Sequence, residues 1–163
     1  MPISVHERGE SMSSVRSTQR RPLRGVRHSI PRLTLDDAFI AILIGAMDAN
    51  QHVSREEAAR AHHIIWSMKR FRRKAGERVN RIIEAMRSLI ETEGALAVIT
   101  AATKVIPERL TAAAFAVSAD LVLADGKIEP AERRFLERLA SGLRLDRRTR
   151  DGLVRAMLVK NGA

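Results

Sequence analysis

Beyond Thr34 the apolar residues recur at spacings of three and four, the period of one helix face. No segment combines sustained alternation with turn chemistry, as a strand would. Thr34-Leu35-Asp36-Asp37 has the form of a capping box, in which a hydroxyl and an acid three residues later satisfy each other's main-chain amides. It opens a first helix running through AFIAILIGAM to about Asp48. Ser54-Arg55-Glu56-Glu57 repeats the device for a second helix, which ends near the basic residues Lys69 to Lys74. A third, over 77–93, carries Val79, Ile82, Ile83, Met86, Leu89 and Ile90 on one stripe and stops at Gly94. Residues 95–106 make a short apolar fourth. Pro107 opens a fifth through Asp125, Pro130 a sixth to Gly142, and Asp146 a seventh to about Lys160. Proline suits a helix start, because the N–H it lacks has no intrahelical partner there. The expectation is an all-α fold, about seven helices in a compact bundle.

Two stretches echo each other at an offset of 75 residues. When 38–57 is laid over 113–132, Ala38/Ala113, Ala41/Ala116, Ala49/Ala124 and Glu57/Glu132 are identical, and Val53 meets Ile128. Each copy is an apolar helix, a short polar turn and an acid-capped helix. The match predicts a bundle built from two related helical-hairpin units.

The polar turns carry the chemistry. Asp125-Gly126-Lys127-Ile128-Glu129-Pro130-Ala131-Glu132 matches the second half of an EF-hand loop, with an acid, a turn glycine, an inward apolar residue and a closing glutamate. The first half is missing, because Leu121 and Leu123 stand where two acids belong. The analogous slots of the first copy are Ala46, Asp48 and Asn50, closed by Glu57. Neither loop alone supplies the six or more oxygens that calcium takes, so two independent EF-hands are excluded. Two readings remain. In one, Glu57 and Glu132 cap the first turns of their helices and Gly126 merely permits a turn. In the other, the loops pack together and Asp48, Glu57, Asp125 and Glu132 converge on one divalent cation. Asp120 adds to the second reading: inside the apolar stretch 115–124 it is costly if buried without a partner, and otherwise lies on the outer helix face.

The stretch FAVSADLVLADGKIEPAERRFLERLASGLRLD, with A-D-G-x-I, Glu132 and the run Phe135, Leu136, Leu139 and Ala140, resembles the TerB-like (tellurite resistance protein B) family. IGAMDANQHVSREE is similar to that family's first repeat, and the likeness covers roughly residues 35–160. It implies an all-helical domain of two related units, a cytoplasmic bacterial setting, and a link to tellurite resistance and wider stress response with protein partners. It also implies a divalent cation (calcium or similar) on Asp48, Glu57, Asp125 and Glu132. Asn50-Gln51 departs from the Asp-Gly that the family pattern favours, which removes one carboxylate and one turn glycine from the first unit.

Composition narrows the remainder. The chain has 163 residues and is 45% hydrophobic, enough for a core in one domain. Cysteine is absent, which excludes disulfides, thiol nucleophiles and thiolate zinc sites, and makes direct reduction of tellurite by this chain an unsupported reading. The longest apolar run, 38–47, is too short for a transmembrane segment. No phosphate-loop, dinucleotide, zincin or nucleophile-elbow motif is present, and neither Ser118 nor Thr103 has an evident histidine base, so an enzyme is not expected.

The net charge is +10, and half of it lies in residues 1–34, where seven arginines face Glu7 and Glu10. Rich in Ser, Arg and Pro, this segment reads as a flexible, disordered tail ahead of a helical domain over 35–163. It lacks the long apolar region of a secretory signal, and its two glutamates argue against a transit peptide. Met12 is an alternative start. With Lys69, Arg70, Arg72, Arg73 and Lys74, the tail supports an alternative role in binding nucleic acid or an anionic membrane. Five aromatics and no tyrosine make poor material for stacking bases. Read simply, residues 69–74 are a solvated C-terminal turn whose cations suit the helix dipole. His62 and His63, adjacent on a helix, diverge by about 100° and cannot both face one ion; with His52 they read as a partly exposed face beside Trp66. A third role remains: a metal-independent scaffold for protein partners.

Overall fold

The computed structural model describes residues 29–49, 55–125 and 127–162, and of residues 55–57 the backbone alone. The described residues form eight helices and no strand: α1 (Leu35–Asp48), α2 (Arg55–Ser67), α3 (Lys69–Arg72), α4 (Gly76–Glu93), α5 (Ala95–Val105), α6 (Glu108–Val122), α7 (Pro130–Gly142) and α8 (Arg147–Asn161). The all-α expectation holds. The starts at Thr34, Pro107, Pro130 and Asp146 also hold: Pro130 is the first residue of α7, and the other three are the extended N-cap residues of α1, α6 and α8. α2 and α7 are both 13 residues long and lie 75 positions apart, the offset of the sequence echo.

The core is built around α1. Every residue from Ala38 through Met47 is buried, because α2, α4, α5 and α6 surround it. A helix apolar all round is stable only when enclosed in this way. Thr34 accepts the Asp37 amide at 3.2 Å, while Asp37 accepts the Thr34 amide at 2.7 Å, so the capping box is closed. Leu33 is buried and Ile30 packs on the core, so the chain joins the body a few residues before its first helix. Residues 1–28 lie outside the described residues.

The eighth helix, α3, corrects the reading of the basic cluster. Met68 is extended (φ −68°, ψ 128°) and ends the α2 segment, so residues 69–72 form a turn of their own that drives Phe71 fully into the core. The cluster is not simply solvated. Arg70 pairs with the buried Asp36 in the first turn of α1, and the Lys74 ammonium reaches the same carboxylate at 2.8 Å. Burial pushes the Asp36 carboxyl up, but Lys74 and Arg70 outweigh it and hold the group below its ordinary value. Lys69, Arg72 and Arg73 remain exposed.

Candidate metal centre

The first bend starts at Asp48, the last residue of α1, and Ala49; residues 50–54 and the Glu57 side chain lie outside the described residues. The second bend runs from Leu123 to Glu129, with Gly126 also outside them. Among the described residues, the end of α1 lies beside the start of α7, and α2 reaches the second bend. Asp48 and Ala49 line the same cavity as Ala131 and Arg134 at the start of α7. Arg60 of α2 donates to the Ala124 carbonyl of the second bend at 3.4 Å.

The second bend is internally ordered. Asp125 Oδ1 accepts the Lys127 amide at 3.0 Å, a side-chain turn that fixes the loop's direction. Glu129 and Glu132 close a capping box at the start of α7, in which Glu132 Oε2 accepts the Glu129 amide at 2.7 Å. Glu132 is buried, so this is the helix-capping role that its spacing foretold. Asp125 is exposed.

Asp120 differs from both roles foreseen for it. It lies in the last turn of α6, neither exposed on an outer face nor open to a metal. Lys160 reaches its two carboxylate oxygens at 2.7 and 2.6 Å, Asn161 Nδ2 donates at 3.1 Å, and Arg60 lies at 3.5 Å. Burial raises its pKa, but Lys160, Asn161 and Arg60 more than reverse this and hold it below the ordinary value. The same groups tie the end of α8 to the second bend. Asn161 donates to the carbonyls of Asp120 (3.2 Å) and Leu123 (3.1 Å), and Arg60 donates to Asn161 Oδ1 at 2.6 Å. The sequence flagged Asp120 as needing a partner; it had no local signal for Arg60, Lys160 or Asn161, which come from 40 to 60 positions away.

Asp48 has no such support. Its carboxylate is solvent-exposed, yet the wall of Ile44, Met47 and Ile90 beside it removes part of its hydration. That desolvation raises its pKa, against a smaller opposing pull from Arg87.

As a cation site, the described residues divide. Asp120 does not fit, because binding there requires displacing Lys160 and Arg60. Asp48 and Asp125 present exposed carboxylates, whereas Glu132 is buried with Oε2 accepting the Glu129 amide. Among the described residues no three His, Cys, Asp or Glu side chains converge in a metal-holding group. The histidine reading also resolves within the described residues: Trp66 Nε1 donates to His62 Nε2 at 2.8 Å, and His63 is exposed. The hydroxyls of Ser118 and Thr103 donate to the Ala114 and Thr100 carbonyls of their own helices, at 2.9 and 3.0 Å. No helix of the described residues is long and apolar enough to cross a membrane.

A family model described as tellurite resistance protein TerB matches residues 36–154. No curated protein and no solved structure matches the chain.

Proposed function

The chain belongs to the tellurite resistance protein TerB family, and on that premise we propose that it is a non-enzymatic, cation-responsive module of a tellurite or wider stress response. In this reading it works in the cytoplasm with protein partners, and a divalent cation, calcium or one like it, binds between its two bends. Asp48, Glu57, Asp125 and Glu132 would hold the ion, and Asp120 is left out because its oxygens already serve Lys160 and Asn161. The bound ion would supply positive charge beside Asp48, at the end of α1. The observation that supports the reading is that the end of α1 and the start of α7 share a cavity, lined by Asp48 and Ala131, while Arg60 of α2 contacts Ala124 of the second bend. The raised pKa of Asp48 supports it, since a partly desolvated carboxylate gains most from a nearby cation. The non-enzymatic part is supported by hydroxyls whose protons are engaged by main-chain carbonyls.

Thermal melts of the full chain, first with chelator and then with millimolar calcium or manganese, test this. A ligand that binds only the folded state contributes about 2.7 kcal/mol at a hundredfold excess over its Kd. At this chain size that is a rise in Tm of roughly 5–10 °C. The rise is expected to vanish in Asp125→Asn. Identical curves with and without cation would remove the metal and leave a metal-independent scaffold.

A further inference from the structure

The cavity beside Asp48 has a second face that the cation reading does not use. It holds about 240 Å3, the space of roughly eight waters at their liquid volume. It opens between α1, α5 and α7, and small residues line it: Gly45 on α1, Ala49 just after it, Ala95 on α5, Ala131 and Gly142 on α7. Interiors pack without voids of this size, so the opening is a surface cleft that no side chain among the described residues fills. Gly45 marks how tightly its floor is closed, because a methyl group there would collide with Ile99 Cδ1 and lie 3.5 Å from Phe135 Cε2. Ile99, Phe135 and Leu139 make the deep apolar wall, and Leu96, 60% exposed, stands at the rim.

Arg134 and Arg138 line the same cleft one turn apart on α7. Both are exposed, and among the described residues neither enters an ion pair. Two guanidiniums at this spacing suit one carboxylate, which each can meet with paired N–H donors. Asp48, on the α1 wall, contributes the opposite charge and disfavours a second anionic group on the ligand. We propose that the cleft between α1, α5 and α7 binds a medium-chain amphiphile with a single anionic head. The head lies on Arg134 and Arg138, and the tail lies along Leu96, Ile99 and Phe135. This site shares Asp48 and its cavity with the cation reading but requires no metal.

The test is a titration of the full chain, in chelator, with decanoate below its micelle concentration, followed by amide NMR shifts. Decyltrimethylammonium and decanedioate serve as head-group controls. Decanoate is expected to give saturable shifts at Gly45, Leu96, Ile99 and Phe135, with both controls at least tenfold weaker. Arg134→Glu with Arg138→Glu is expected to weaken decanoate at least tenfold with Tm unchanged, since both side chains are exposed and neither enters an ion pair among the described residues. Leu96→Gln, at an exposed site, is expected to weaken it several-fold through the tail. Equal binding of the cationic amphiphile, or no effect of the double charge reversal, would overturn the proposal. Binding to phosphatidylglycerol vesicles with no decanoate response would overturn it too, and would assign the arginines to a lipid surface.

Discussion

Replacing Asp120 by Asn separates a structural acid from a metal ligand. Asn keeps the shape and can still accept from Asn161, but it gives up the charge that Lys160 and Arg60 pair with. A hydrogen bond between charged groups contributes about 1.5–3 kcal/mol when shielded, and an exposed pair about 0.2–1 kcal/mol. The carboxylate is 17% exposed, Arg60 35% and Lys160 54%, so the interaction lies between those limits. The expected loss is about 1–2 kcal/mol, or roughly 2–8 °C in Tm by scanning calorimetry. The pH dependence has a definite sign. The folded-state pKa is lowered from an unfolded value of 3.8, so the stabilisation is complete above that value. It is lost as pH falls through the folded pKa. The gap between wild type and variant should therefore stay constant from about pH 5 to 8 and close toward pH 2. Any rise in Tm caused by divalent cation should persist in Asp120→Asn, because the ion is not placed on this residue. A variant melting within 1 °C of wild type at pH 7, or a gap undiminished at pH 2, would refute the assignment; about 1 °C is less than the smallest shift expected.

Two further outcomes test the packing. Phe71→Ala should cost about 3–5 kcal/mol in urea unfolding, since Phe71 is fully buried and fixes α3 to the core; a cost below about 1 kcal/mol would mean that α3 is ornamental. Gly152→Ala, inside α8 with nothing within 4 Å of the added methyl, should raise stability by about 0.5–1 kcal/mol. A loss there would show that α8 is placed differently.

Local signals in the sequence carried the elements well, and long-range pairing was where they failed. Thr34 with Asp37 and Glu129 with Glu132 are interactions over three residues, so spacing alone exposes them. Prolines and Gly94, with φ +85° at the junction of α4 and α5, mark helix limits for equally local reasons. The break at Met68 was not legible, because its cause is tertiary: Phe71 must enter the core while Arg70 and Lys74 reach Asp36. Asp36 itself passed for a first-turn acid, and only its burial shows why two cations surround it. The cleft was invisible for the same reason, since Gly45, Leu96 and Arg134 meet only when three helices assemble. The candidate metal residues were legible as turn chemistry, and Asp120 was legible as a problem. Its solution lay on α2 and α8.

Asp48 and Asp120 pose the same electrostatic problem near the ends of two apolar helices. Each ends an apolar helix at its C-terminal turn, where the main-chain carbonyls already concentrate negative potential and a carboxylate is disfavoured. At the end of α6 Lys160 and Arg60 answer that problem, and the pKa of Asp120 falls. At the end of α1 Arg87 acts only at longer range, desolvation dominates, and the pKa of Asp48 rises. An external cation would therefore do little for Asp120 and more for Asp48, whose charge the fold leaves less compensated. If a cation binds, Asp48 is the described acid that would gain most from it, while Asn161 and Arg60 hold the second bend through main-chain carbonyls.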